Sequence, residues 1–463
     1  MSPPASPYRV PRDLLERYAQ SGPRYTSYPT APEWSSDFGP DGAREALARN
    51  SVERAGVPLS LYVHIPFCEK LCFYCGCNIQ LNKDRERVKS YLDAVEREVE
   101  AVAAQVDTAR PVVQLHWGGG TPTHLLPEEI ERLHGMLFRH FRLAEGAEVS
   151  LEVHPNVTTS AQVETLARLG FNRISMGVQD FDPVVQKAVN RLQSFELTRD
   201  LVELCRAQGF ISVNLDLMYG LPEQTWDGFV RTLDQVLTIA PDRLALFHYA
   251  HLPSVFSHQR NLKNLPDSDL KLRLFERAID TFVAEGMTYI GMDHFARPDN
   301  ELSRAREDGS LRRNFMGYTT CADSDLLSFG MSAISDLEGA YYQNQRTLSD
   351  YMQAMTAGTS PAAKGMHLSA DDRLRRDVIN TIIGHGRLDK ARIEARHGIR
   401  FHEAFALEWE ELAVHEADGL VRRRAEALEV TPVGQMLIRN ICMVFDAYLR
   451  RAPERGRIFS KTL

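Results

Sequence analysis

Short apolar runs along the chain alternate with longer stretches in which apolar residues recur every three or four positions. The runs at 60–65, 112–117, 148–153, 172–177, 211–217 and 243–248 predict strands. After the first, Val88, Tyr91, Leu92, Val95, Val99 and Val102 fall on one helical face and predict an amphipathic helix over 84–105. Weaker versions of that pattern predict helices near 128–141, 160–168, 195–208 and 226–238. Strands that alternate with helices require a parallel sheet with the helices outside it. In that architecture the working side chains gather at the C-terminal ends of the strands.

The flanks follow other patterns. Arg24-Tyr-Thr-Ser-Tyr-Pro-Thr-Ala-Pro-Glu-Trp34 is rich in aromatics and prolines and has neither period, so it predicts an extended arm, whose plainest role is a surface tether. Residues 356–365 have the composition of a linker. Beyond them, helices are expected at 370–384, 389–396, 402–417 and 432–450, with short strands at Gly419-Leu-Val-Arg and Leu428-Glu-Val-Thr. Helices with a small hairpin resemble a winged-helix module. The expected division is an arm over 1–50, an α/β domain over 51–355 and a mostly helical domain over 366–463.

Composition narrows the function classes. The chain has 463 residues, enough for two or three domains. Its formal charge, 54 − 62 = −8, argues against a nucleic-acid partner or a basic membrane-surface patch, even with a winged-helix-like module. No run has the length of a transmembrane helix, and the first residues lack the charged-then-apolar order of a signal peptide. Seven cysteines, an odd and clustered set, do not suit a secreted disulfide framework and point to a reducing cytoplasm.

The cysteines carry the strongest chemical signal. Cys68, Cys72, Cys75 and Cys77 fall within ten residues, directly after the first predicted strand. Thiolates are soft ligands suited to zinc or to iron–sulfur clusters. A structural zinc site wants four ligands, usually in two separated pairs, and no second Cys or Cys/His pair follows at that distance. A 4Fe–4S cluster usually takes four cysteines; three would leave one iron free to bind something else. Buried core cysteines are the bland alternative, although those are usually scattered.

The spacing Cys-x3-Cys-x2-Cys, with Tyr74 before the third cysteine, resembles the radical S-adenosylmethionine enzymes. The added Cys77 narrows the resemblance to the oxygen-independent coproporphyrinogen III oxidases, and the Arg24–Trp34 run resembles the N-terminal motif of the same group. The resemblance implies a partial (β/α)6 barrel with an N-terminal arm lying across the active-site mouth, and a C-terminal domain covering it. It implies a 4Fe–4S cluster on Cys68, Cys72 and Cys75, with S-adenosylmethionine chelating the open iron. The segment His116-Trp-Gly-Gly-Gly-Thr-Pro resembles the family's glycine-rich segment and carries over Gly119, Gly120 and Thr121 as cofactor contacts. Tyr62 and Ile334 join that set, and Glu152 is implied as a ligand of the ribose hydroxyls. Gln179, Arg191 and Asp216, with Tyr74 and Ala250, match the residues that hold a second S-adenosylmethionine in the group. The chain departs from the pattern at His154, Met316 and Cys321, where other polar residues are usual.

The reaction implied is oxidative decarboxylation of two propionates of coproporphyrinogen III to vinyl groups. It needs a low-potential electron donor and an electron acceptor, and a monomeric enzyme is expected. A carbon–hydrogen bond beside a propionate offers no acid–base handle, so a radical cofactor must supply the hard step. The four propionates call for cationic forks; Arg24, Arg297 and Arg313 are candidates. Two rivals remain: a related haem chaperone, whose members generally lack the fourth cysteine and the arm, and a non-catalytic zinc-binding protein.

Overall fold

The computed structural model describes residues 7–451, apart from residue 322, together with residue 459. Contacts divide the chain into two compact units.

The larger unit comprises Trp34–Pro266 and Asp323–His367. Its frame is six strands, Leu59–Ile65, Pro111–Gly119, Arg142–Val153, Arg173–Gln179, Ser212–Tyr219 and Arg243–His248, each parallel to the next. The predicted helices connect them as Arg85–Ala103, Pro127–Phe138, Ser160–Arg168, Phe195–Ala207 and Trp226–Ile239. A further strand, Asp325–Phe329, lies parallel to the first strand on its other side. Three antiparallel strands, Ile334–Leu337, Ala340–Asn344 and Ala362–His367, extend the sheet from there. Residues 362–365 therefore belong to a strand rather than a linker, and the backbone of Ser35 bridges to Gly365.

Alternation along the strands separates two faces. Leu61, Val63, Leu115, Trp117, Leu151, Ile174, Met176, Leu215, Leu217, Leu244 and Leu246 are buried, as are the inward stripes of the connecting helices such as Val88, Leu92, Val95 and Val99. Each such side chain contributes about 1.5–3 kcal/mol on burial, so the core lies between sheet and helices. The other face is polar, because the intervening positions are Ser60, Tyr62, His64, Gln114, His116, Glu148, Ser150, Glu152, Arg173, Ser175, Asn214 and Asp216. Low on this face, Gln114 accepts from the Ser60 hydroxyl (3.3 Å) and donates to Glu148 (3.0 Å). Glu148 in turn pairs with Arg173 at 3.1 Å and Arg243 at 3.9 Å.

One carboxylate lies inside the core. Glu98, on Arg85–Ala103 and 2% exposed, accepts from the Gly330 N–H (2.8 Å), Asn344 Nδ2 (2.6 Å) and the Tyr351 hydroxyl (2.6 Å). Burial pushes its carboxyl up to about 7, against the pull of the three donors. A raised carboxyl is fully tolerated below its unfolded value and costs stability as pH rises toward its folded value. Relative to Glu98→Gln, the wild type is expected to lose about 3 kcal/mol between pH 4.5 and 7.5. Urea midpoints of both proteins across that range check this; parallel profiles would refute it.

The smaller unit comprises the described part of Met1–Glu33, Asp267–Ala322 and Leu368–Leu463. Helix Ala370–His385, strand Arg387–Asp389, helices Lys390–His397 and Ala406–Ala417, and strands Val421–Arg423 and Ala427–Val430 follow the winged-helix order. The last strand lies between the other two. Two expected helices are interrupted: 402–417 breaks at Phe405, and 432–450 becomes Pro432–Met436, Ile438–Val444 and Ala447–Arg451. Leu437 and Phe445 end their turns without breaking the apolar spacing, so periodicity alone could not show the breaks.

The arm is part of this unit's core rather than a tether. Tyr25 and Tyr28 are 2% and 1% exposed. Tyr25 donates to Asp446 (3.0 Å), the Tyr28 hydroxyl accepts from the Ala447 N–H (3.1 Å), and Tyr18 donates to Asp418 (2.7 Å). Removing the arm would therefore strip packing as well as any cover it provides.

Candidate active site at the strand ends

Apart from Tyr62 and Asp216, which lie within their strands, the residues singled out in the six-strand frame lie at or beyond a strand's C-terminal end. The cysteine loop leaves the first strand through Phe67–Cys68, which pairs with Gln80–Leu81. Backbone bonds hold both sides of the loop: Gln80 N–H to Pro66 O (2.7 Å), Asn82 N–H to Cys68 O (3.0 Å) and Phe73 N–H to Val189 O (2.9 Å). Asn190 donates to Leu71 O (2.8 Å), and His258 Nε2 to Cys75 O (2.8 Å). The loop is shaped by its neighbours before any metal is considered.

Three thiols thus occupy one rigid loop, each with a distinct partner. The Cys68 Sγ lies 3.5 Å from Thr121 Oγ1, Cys72 Sγ accepts from Arg191 Nη1 at 3.6 Å, and Cys75 Sγ accepts from the Cys77 N–H at 3.4 Å. Burial pushes the Cys68 thiol up to about 11. Hydrogen bonding from Cys77 draws Cys75 down to about 7, and Arg191 lowers both thiols. Cys77 itself is exposed.

The glycine segment ends the second strand. Gly119 has φ +117°, and a Cβ there would stand 2.5 Å from the His64 ring. A Cβ on Gly120 would meet Pro66 O at 2.6 Å. The glycines are therefore required first for packing on the base of the cysteine loop. That packing orients His64: its Nε2 donates to Asn78 O (3.0 Å), and its Nδ1 accepts from Tyr62 (3.1 Å). Burial keeps its ring pKa low, so the imidazole is neutral.

Glu152, half-buried near the end of the third strand, accepts from the Gly119 N–H at 3.1 Å and faces His116 Nε2 at 3.8 Å. Burial pushes its carboxyl upward, but His116, the Gly119 N–H and His64 outweigh that and hold it below the usual range. His116 donates from Nδ1 to Ser150 (2.8 Å), whose hydroxyl donates to Leu115 O (3.2 Å). His154, one of the departures, is drawn down to about 3 by burial and by Arg191, so it is a neutral ring.

A second group forms where the fourth and fifth strands end. Arg191 donates to Gly177 O as well as to Cys72. Gln179 has φ +69°, and a Cβ on Gly177 would meet its Nε2 at 2.8 Å and Arg191 Nη2 at 2.9 Å. Asp216 accepts from Asn214 (2.7 Å) and Ser175 (3.2 Å). Burial, then the charge of Glu152, pushes Asp216 up to about 7. Tyr74 packs against Val185, Val189, Leu221 and Tyr249. Ala250 follows Tyr249, whose N–H bonds Tyr219 O (2.9 Å). Ile334 is tied through its carbonyl to Ser328, which lies opposite Tyr62. Ala250 lies two residues beyond Arg243–His248, and Ile334 begins Ile334–Leu337.

The donor chemistry fits an iron–sulfur cluster with a polar organic cofactor beside it. Among the described residues, no three His, Cys, Asp or Glu side chains converge closely enough for one metal ion. A single zinc would demand such convergence, whereas cluster ligands sit on different irons. Gln179 Oε1 and Arg191 Nε are buried without a hydrogen-bond partner in the protein. Such groups are costly unless a ligand completes them.

Comparison with known proteins decides the family. The chain is 47% identical over 441 residues to the oxygen-independent coproporphyrinogen III oxidase of Pseudomonas aeruginosa, covering 94% of this chain and 95% of that one. The chain belongs to the oxygen-independent coproporphyrinogen III oxidases. The Escherichia coli oxidase is 47% identical over 452 residues, 97% of this chain and 98% of that one. The solved structure of the Escherichia coli coproporphyrinogen III oxidase, described as a radical SAM enzyme, superimposes with a TM-score of 0.90 at 44% identity. It covers 96% of this chain and 100% of that one. The Radical SAM superfamily pattern matches residues 62–236. With membership of this oxidase family come a 4Fe–4S cluster and S-adenosylmethionine.

Sequence reasoning missed His116, Ser150, Ser175 and Asn214 as supports of the oxidase site. The signal was present: polar residues at every second position of otherwise apolar strands mark one polar face of the sheet.

Proposed function

We propose that this protein converts coproporphyrinogen III to protoporphyrinogen IX without oxygen, in haem biosynthesis. The observation that supports this best is the anchored trio Cys68, Cys72 and Cys75, with Arg191 donating to Cys72. When bound, the cluster and S-adenosylmethionine supply the one-electron chemistry that removes a hydrogen atom from an unactivated carbon. The protein's own groups bind, orient and screen. Gly119, Gly120 and Thr121 take the methionine amine, and Tyr62 and Ile334 flank the cofactor. Glu152, kept ionised, accepts from the ribose hydroxyls. Gln179, Arg191, Asp216, Tyr74 and Ala250 hold a second S-adenosylmethionine, satisfying the buried Gln179 and Arg191 atoms.

Each of two propionates loses carbon dioxide, a β-hydrogen atom and one electron, which leaves a vinyl group; the electron passes to an acceptor. A low-potential donor reduces the protein beforehand. The enzyme acts as a monomer in the cytoplasm, in keeping with the absence, among the described residues, of a helix long and apolar enough to cross a membrane.

An anaerobic incubation with coproporphyrinogen III, S-adenosylmethionine and a strong reductant tests the reading. Protoporphyrinogen IX, read by porphyrin fluorescence after oxidation, is expected from a brown protein. A brown protein that binds haem and makes no vinyl product would instead be a chaperone, and a colourless one would favour zinc.

A further inference from the structure

The smaller unit holds a buried cationic cluster that the site above does not use. Arg313 lies in strand Arg312–Asn314, directly across from Tyr318 in strand Gly317–Thr319. Its guanidinium stands over the Tyr318 ring, 5.0 Å from the centroid. The residue is 6% exposed, and its Nε and Nη1 are buried with no hydrogen-bond partner in the protein. An arginine cannot shed its charge, so a buried fork without an acceptor is a standing cost.

The neighbours do not remove that cost. Asp293, 8% exposed at its side chain, pairs with Arg24 and lies 3.5 Å from His294 Nδ1. Although burial pushes Asp293 upward, Arg24, His294 and Arg313 hold it far below the usual carboxylate range, so it is ionised. Arg439 gives its N–H groups to the uncharged carbonyls of Pro23 (2.9 Å) and Gly22. Those two bonds set Arg439 against the residues that directly precede Arg24, and burial, then the charge of Arg24, lowers Arg439 to about 10. Another buried carboxylate of this unit, Asp446, is engaged by Tyr25 (3.0 Å) and by the N–H groups of Tyr448 (2.9 Å) and Leu449 (3.1 Å). Asp293 thus pairs directly with Arg24, while Arg313 reaches the same group through Tyr318, whose ring centroid lies 5.1 Å from that of His294. Met292, directly before Asp293, is held in the left-handed region at φ +52°, and such strain clusters at ligand clamps.

We propose that Arg313, with Arg24 and Arg439 around Asp293, is a carboxylate seat that takes one propionate of the porphyrinogen. A carboxylate accepts two parallel bonds from a guanidinium fork and would complete the buried Nε and Nη1 of Arg313. Arg24, 34% exposed, is the side from which the anion enters. Arg297, by contrast, is half exposed and pairs with Asp299 at 3.4 Å, as an ordinary surface residue does.

The seat rests on coproporphyrinogen III being the substrate, and the test separates the two claims. Binding of coproporphyrin III, the stable oxidised form, and of its uncharged tetramethyl ester is measured by fluorescence on the full-length, cluster-loaded protein and on Arg313→Gln. The wild type should prefer the acid, and the variant should lose about ten- to a hundred-fold of that preference. Iron content and substrate-free cleavage of S-adenosylmethionine should stay unchanged. If Arg313→Gln does not fold, Arg24→Gln is judged by the same loss. A variant that keeps the full preference while the wild type makes vinyl product overturns the seat alone. A wild type that neither prefers the acid nor makes that product overturns the substrate reading and the seat together.

Discussion

Cys72→Ser is expected to lose the brown colour, the cleavage of S-adenosylmethionine and the vinyl product together. A serine hydroxyl is a hard, neutral donor that stays protonated where a thiol ionises, so it cannot replace a soft thiolate on iron. The loss is not shared out, because Cys68, Cys72 and Cys75 each have a separate partner in Thr121, Arg191 and Cys77. Outer partners of a metal ligand are typically worth about 10–100-fold, so loss of a direct ligand should exceed about 1000-fold in turnover. Cys77→Ser is the matching control: Cys77 reaches Cys75 through its backbone N–H, which serine keeps, and through its side chain, where a serine hydroxyl can also donate. Iron analysis and an anaerobic visible spectrum of both variants, beside the product assay, check the prediction. A Cys72→Ser protein that still works in air would contradict the account of the site.

Arg110→Ala should have the largest effect on stability. Arg110 is 1% exposed and donates to Asn50 (2.7 Å), to Val57 O and to Asp325, whose side chain is 2% exposed. Asp325 begins the strand on one side of Leu59–Ile65 and Arg110 directly precedes Pro111–Gly119 on the other, so the ion pair ties the first strand's two neighbours together. Removing one partner leaves a buried charge with only Arg54 at 3.3 Å, and breaking such a pair costs about 3–5 kcal/mol. The Arg110→Ala/Asp325→Ala double variant should recover part of that loss, since no orphaned charge remains. Urea unfolding of the three proteins tests this. A single-variant shift worth less than about 1 kcal/mol would show that Arg54 and water suffice.

How much could be read in advance depended on the kind of signal. The six frame strands were legible because buried parallel strands carry unbroken apolar alternation, and the connecting helices because their stripes face that sheet. Helix Gly39–Glu53 was missed because Leu47 is the one large apolar residue it buries, beside Ala43, Ala46 and Asn50, and because it opens on Gly39-Pro40. Strand Ala362–His367 was hidden by a linker-like composition, since its pairing with Ala340–Asn344 is set by partners far along the chain. In the site, the cysteine spacing was decisive without any coordinates. The bonds of Arg191 to Cys72 and of Glu152 to the Gly119 N–H needed the fold, because each joins different strand ends. The requirement for Gly119 also changed meaning, from access for a ligand to contact with His64.

The separation of the two sheet faces has an evolutionary consequence. Cohesion is supplied by side chains that point toward the helices, and reactivity by alternate residues that point away. Lineages can therefore rewrite the reactive set one position at a time while the scaffold stays folded, and new chemistries arise as edits to every second letter of six short words.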